Sequence, residues 1–366
     1  MKKISLLLAF CLLVAGGAAA QPDGGVRNVI YMIGDGMGLA HVSMLGIENG
    51  YGTTSFDRAQ GIALVSTYSA NNRVTDSAAA GTALATGHKT GNGVLGQSME
   101  GEPFASVMTR ASREGMPTGI AVTCYLQHAT PAAFYAHVPD RDDNGAITRD
   151  LLESGVDVLF GGGAEWLEEE CGGDGSYFDA FARRGYRVTR SLDEAERVDA
   201  GKLLCVPSGR HLPRAAERGD YLPRAVERAL TVLSADAAQR DRGFLLMVEG
   251  SQIDMASHGN DAGWALDEMR DFDRAVAVAM DFADRTPGTL VVVVADHETG
   301  GLTIPACDEN FKHAEGGIEY RFSTGGHTGM LVPVYLYGTG ADRIAGIMDN
   351  TRLSQHIASL LNLPQH

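Results

Sequence analysis

The sequence predicts an α/β fold, a mainly parallel central sheet flanked by helices on both faces, and three observations lead to it. Short, largely apolar runs at 26–33, 244–248 and 290–295 read as strands buried on both faces. Stretches with helical periodicity lie between them, and the longest, 262–283, keeps its charges on one face. Each run ends in polar residues, at the carboxyl end where open α/β sheets hold their ligands.

With 366 residues, 44% of them apolar, and 46 glycines, the chain can build one large core, and a single domain over 26–366 is expected. The formal charge of −16 argues against nucleic acid as a partner and suits a protein that gathers carboxylates around cations. At the amino terminus, Lys2 and Lys3 precede an apolar run that starts at Ile4, and Ala18, Ala19 and Ala20 supply the small residues a signal peptidase needs. A signal peptide over 1–20 is therefore expected, and with it a periplasmic or secreted protein. The run is too short to span a membrane, and no other is long enough. Cys124, Cys171, Cys205 and Cys307 remain, and export favours disulfides. Cys171–Cys205 is the favoured pair and Cys124–Cys307 the weaker one, with buried free thiols as the alternative.

The run 26–33 leads into Gly34-Asp35-Gly36-Met37-Gly38, whose glycines allow a sharp turn and close approach of backbone to a ligand. Asp35 is thereby delivered at a strand's end, though such an aspartate can also serve only the turn. A helix is expected over 39–49. Small residues after Ser77 suit a second helix packed closely on the sheet, capped by Thr75 or Asp76 and closed by Gly87. Ser77 would lie in its first turn, where free N–H groups favour an anion; a serine that only caps is the alternative. The run 117–123 reads as a strand leading to His128 and Thr130. Arg141, among three aspartates, could grip a phosphate with two prongs or sit in a solvated turn. A helix is expected over 146–154 and a strand over 156–160, whereas 164–219 is charged, irregular and expected to be peripheral.

Helical periodicity resumes at 221–233, and the run 244–248 delivers Glu249 at a strand's end. Asp254 and His258, spaced i, i+4, would share a helical face and could grip one ion; a charged loop followed by a surface helix is the alternative. The run 290–295 ends in Asp296-His297, a ready metal half-site. His327 stands among glycines just before a last strand at 331–337.

Together these segments resemble the alkaline phosphatase family. IGDGMG at 33–38, TDSAAAGTALATG at 75–87, QHATPAA at 127–133, VEGSQID at 248–254 with His258, VVADHETGG at 293–301 and GGHTG at 325–329 stand in the family's order. The resemblance implies hydrolysis of phosphate monoesters by a homodimer, through a phosphoserine intermediate on Ser77, with two zinc ions and one magnesium ion. Asp254, His258 and His327 would hold one zinc, Asp35, Asp296 and His297 the other, and Asp35, Thr130 and Glu249 the magnesium. Arg141 would hold two phosphoryl oxygens, with His128 also on the substrate side. His128 stands where one branch of the family has aspartate and another histidine, so the third metal need not be magnesium. Met255 replaces a lysine of the enterobacterial branch, which implies faster phosphate release and weaker phosphate inhibition. A phosphodiesterase or other esterase of the same superfamily and a non-enzymatic phosphate-binding protein are the competing readings.

Overall fold

The computed structural model describes residues 25–307 and 317–364, so the leader expected over 1–20 lies outside the described residues. Its strands are β1 (Asn28–Gly34), β2 (Gly61–Ser66), β3 (Thr118–Tyr125), β4 (Val158–Gly162), β5 (Arg187–Thr189), β6 (Leu203–Cys205), β7 (Leu245–Gly250) and β8 (Thr289–Val294). After the short pair β9 (Glu298–Thr299) and β10 (His327–Thr328) come β11 (Val332–Gly338) and β12 (Gly346–Asp349). All but β9 and β10 join one sheet in the order β12-β2-β11-β8-β1-β7-β3-β4-β6-β5. Its pairings are parallel except those of β11, which runs antiparallel to β2 and β8.

The three expected apolar runs are the central strands, and every residue of β1, β7 and β8 is buried. This agrees with helices covering both faces, because a strand open to water on one side would alternate. Helices Tyr221–Arg240 and Ala262–Arg285 pack against each other over β3, β7 and β8. Helix Ser77–Thr86 is buried along its whole length, packs against Asn350–Leu360 and accepts a hydrogen bond from Tyr31 of β1 at the Leu84 carbonyl. Only alanine, glycine and threonine side chains on most of its turns permit so close an approach.

Register decides where the polar strand ends fall. Ile33 lies beside Glu249 on one side and Val294 on the other, so the ends of β7, β1 and β8 are level. Asp35, Glu249 and Asp296 consequently meet at one edge of the sheet.

Two expectations are corrected. The segment 164–219 lies at the sheet's edge but is not irregular throughout: it carries β5 and β6, which extend the sheet beyond β4, and its three-residue strands are too short to show a period. The four cysteines among the described residues are free thiols, so neither expected disulfide is formed. Cys205 is enclosed within β6, where its thiol donates to the Ser191 carbonyl, while Cys171 sits half-buried in a turn and Cys307 is exposed. Among the described residues no helix is long and apolar enough to cross a membrane.

Candidate active site

The turn after β1 is shaped by Gly36, which has φ of 75°. A Cβ there would lie 2.8 Å from Asp254 Cα and 2.9 Å from Thr299 Oγ1, so both conformation and space demand glycine. The backbone N–H of Gly36 donates to Asp296 Oδ1 at 3.1 Å, tying the end of β1 to the end of β8. His297 Nε2 then lies 3.5 Å from Asp35 Oδ1 and 3.1 Å from Asp296 Oδ2, with all three side chains fully enclosed. Asp35 Oδ1 and Asp296 Oδ2 accept no hydrogen bond, an expensive state for buried carboxylate oxygens unless a cation serves them. Burial and the neighbouring Asp296 push the Asp35 carboxyl well above the usual range. Burial also raises Asp296, but the adjacent His297 outweighs it and the net shift is downward.

Ser77 enters this cluster from the helix it begins. Its Oγ lies 3.1 Å from His297 Nε2, and the Asp76 side chain caps the helix by accepting from Ala79 N at 3.0 Å. Asp76 Oδ2 also accepts from Arg141 Nη1 at 3.1 Å and from Gly93 N at 2.9 Å. One carboxylate therefore fixes both the nucleophile's helix and the arginine. Sequence reading saw Asp76 only as a possible cap; its contact with Arg141 spans 65 positions and left no local signal. Burial lowers the Arg141 guanidinium, but Asp76 more than reverses this, and the arginine stays charged.

Asp254, His258 and His327 meet as the sequence predicts. His258 Nδ1 lies 2.7 Å from the Gly325 carbonyl and His327 Nδ1 2.8 Å from the Thr75 carbonyl, so both rings present Nδ1–H to the backbone. Their Nε2 atoms are left facing each other at 3.1 Å, and Asp254 Oδ2 lies 3.3 Å from that of His258. Two lone pairs so close repel unless a proton or a metal ion lies between them. Hydrogen bonding to Asp254 pushes His258 up to about 9, whereas burial holds His327 down at about 4. Thr299 donates to Asp254 Oδ1 at 2.5 Å, so it can only accept from His297 Nδ1–H, 3.1 Å away. This fixes the ring with Nε2 towards Ser77, Asp35 and Asp296, and although burial lowers His297, the adjacent Asp296 outweighs it and the net shift is upward. The role of Thr299 is another that sequence reading missed.

Thr130 reaches Asp35 Oδ2 at 3.5 Å, and Glu249 is buried behind it. Glu249 Oε2 accepts from the Cys124 thiol at 3.2 Å, while Glu249 Oε1 and His128 Nδ1 are buried without a partner. Burial raises Glu249 to about 7. His128 thus falls beside Glu249 and Cys124, and its ring also faces Tyr125 and His211. Among the described residues three sets of donor atoms cluster within 4.8 Å: Asp35, Asp296 and His297; Asp254, His297 and His327; and Cys124, His128 and Glu249.

A parallel sheet that gathers imidazole and carboxylate donors at its carboxyl edge, against a serine in the first turn of a helix, defines a metal-dependent hydrolase. The particular family follows from comparison with known proteins. The family model for alkaline phosphatase matches residues 26–316, and the chain belongs to the alkaline phosphatase family. Alkaline phosphatase 4 of Bacillus subtilis is 36% identical over 313 residues, covering 81% of this chain and 67% of that one. The structure of alkaline phosphatase from the Antarctic bacterium TAB5 superposes with a TM-score of 0.86 at 32% identity, over 93% of this chain and 100% of that one. A variant of the TAB5 enzyme with a histidine replaced by aspartate, described with magnesium in its M3 site, matches with a TM-score of 0.85 at 31% identity, over 93% and 99% of the two chains. The protein is accordingly a phosphatase with metal cofactors.

Proposed function

We propose that this chain hydrolyses phosphate monoesters through a phosphoseryl intermediate on Ser77. The observation that carries this is the position of Ser77 Oγ, 3.1 Å from His297 Nε2 and against a donor cluster with unsatisfied carboxylate oxygens. The donor chemistry fits the cations: Asp254, His258 and His327 would hold one zinc, and Asp35, Asp296 and His297 a second. Asp35, Thr130 and Glu249 offer oxygens to a third ion, magnesium by resemblance, although Cys124 and His128 stand among them. Bound there, the cations supply Lewis acidity, lowering the pKa of the serine hydroxyl and offsetting charge on the phosphoryl oxygens.

The chain's own residues supply the rest. Arg141, held by Asp76, would donate two N–H groups to non-bridging phosphoryl oxygens and so fix the phosphorus for in-line attack. Ser77 Oγ gives its proton to solvent and bonds to phosphorus as the bond from phosphorus to the ester oxygen breaks, and that oxygen takes a proton from solvent to leave as the alcohol. Water then attacks the phosphoserine on the opposite face, Ser77 takes back a proton, and phosphate leaves with overall retention. The helix N-terminus favours negative charge on Oγ throughout. Met255, partly buried on the helix Gln252–His258, stands where the resemblance puts a phosphate-side lysine, and the missing cation would favour release.

The test is turnover of p-nitrophenyl phosphate by the zinc- and magnesium-loaded protein beside Ser77→Ala. We expect kcat to fall at least about a thousandfold in the variant, as for loss of a nucleophile that acts with its partners as a unit. Equal rates in the two proteins would reject the covalent route. Cleavage of a phosphate diester in preference to the monoester would reject the substrate class.

A further inference from the structure

Cys124 is used by no step above, yet it stands inside the site. It lies on β3, one strand from Glu249 on β7, in a register that pairs Val122 with Glu249. Its thiol is fully buried and donates to Glu249 Oε2 at 3.2 Å. His128, just past the end of β3, completes a triad whose donor atoms lie within 4.8 Å of one another. Two further atoms of this triad, Glu249 Oε1 and His128 Nδ1, are buried with no hydrogen-bond partner. A thiol, an imidazole and a carboxylate thus stand together with polar atoms that no protein group satisfies, as a cation's ligands would.

We propose that Cys124, His128 and Glu249 form a zinc site, with Cys124 as a thiolate ligand, in place of an all-oxygen magnesium site. The inference rests on the phosphatase reading above and refines the identity of its third ion. Sulfur, nitrogen and oxygen donors at one point suit zinc in tetrahedral geometry, with bonds of about 2.3 Å to sulfur and about 2.0 Å to nitrogen. Magnesium takes oxygen ligands in near-octahedral geometry and has no use for a thiolate. On binding, the Cys124 S–H proton passes to solvent and the sulfur lone pair forms the bond to zinc, with no change of oxidation state. Asp35 then serves only the neighbouring site with Asp296 and His297, and Thr130 only donates to Asp35. Phosphatase activity should therefore saturate with zinc alone and gain nothing from added magnesium.

The test uses reduced, metal-free full chain reloaded with zinc, magnesium or cobalt. Zinc-loaded wild type should retain three equivalents of zinc in excess magnesium, and Cys124→Ser should retain two. In the cobalt form a thiolate-to-cobalt charge-transfer band should appear in the near ultraviolet and be absent from Cys124→Ser and Cys124→Ala. Zinc affinity at this site should fall about a hundredfold or more in Cys124→Ser, since even outer-shell partners are worth 10–100-fold. A wild-type cobalt spectrum without that band overturns the proposal, and so does exchange of the third zinc for magnesium. Both readouts on wild type stand even if a variant fails to fold. Both are independent of turnover, so p-nitrophenyl phosphate hydrolysis with no sulfur band would reject this site while leaving the phosphatase reading intact.

Discussion

Two clusters of buried charge in this molecule look alike in composition and differ in bookkeeping. In one, the Arg218 side chain is 2% exposed and binds Glu268 at 2.5 Å and Asp271 at 2.6 Å. Arg274 adds a second cation to Asp271, and the Ala215 N–H and the Trp264 indole complete Glu268. Charges there cancel and every carboxylate has partners. At the carboxyl edge of the sheet, Asp35, Glu249, Asp254 and Asp296 are all buried, with Arg141 near only one side and with carboxylate oxygens left unpaired. The first cluster is complete in itself and holds the fold together. The second is complete only with cations, and that incompleteness marks it as functional.

The contrast can be broken in order of expected effect. Chelation should abolish activity and lower thermal stability, by about 4 kcal/mol where free metal stands a thousandfold above its dissociation constant. The Arg218 cluster should not notice; a chelator that left both activity and melting temperature unchanged would remove the distinction. Next, single substitutions should act in opposite directions. Arg218→Met leaves two buried carboxylates short of a cation and should destabilise by about 3–5 kcal/mol in denaturant titrations, with kcat of the folded fraction preserved. Asp35→Asn relieves repulsion in the metal-free protein, so the apo melting temperature should rise by roughly 2–4 °C while activity is lost. A fall in both variants would mean that the two clusters are held by the same physics.

Asp76→Ala probes the joint between scaffold and site. Loss of the cap should cost ~1 kcal/mol of stability, and the released Arg141 should lower kcat/KM by about tenfold to a hundredfold. A stability loss with unchanged kcat/KM would show that Arg141 is held in place by other contacts. The smallest effect is expected from Met255→Lys, where a cation about 4 Å from phosphate in wet surroundings gains ~1 kcal/mol. Product inhibition should tighten roughly fivefold, and an unchanged phosphate inhibition constant would place residue 255 outside the phosphate's reach.

Much of this was legible in the chain. The helix Leu39–Asn49 falls where its pattern predicted, and β1, β7 and β8 coincide with the apolar runs to within a few residues. Short, edge or half-exposed elements were not legible: β2 and β12 alternate weakly, and β5 and β6 are three residues each. The segment carrying His211 read as peripheral, yet its ring faces His128. Composition and export logic favoured a Cys171–Cys205 bridge, but pairing requires proximity, which spacing along a chain does not encode.

What the sequence determined by itself was local: which runs are buried strands, which glycines make turns, and which carboxylates, imidazoles and serine stand at strand and helix ends. Those properties follow from side-chain chemistry within a few residues. Tertiary structure alone decided how they combine. Parallel register set Asp35, Glu249 and Asp296 level, Asp76 joined Ser77 to Arg141, and adjacent strands brought Cys124 against Glu249. Each of these contacts joins residues far apart in the chain, and only the packed sheet fixes the distances on which ligand geometry depends.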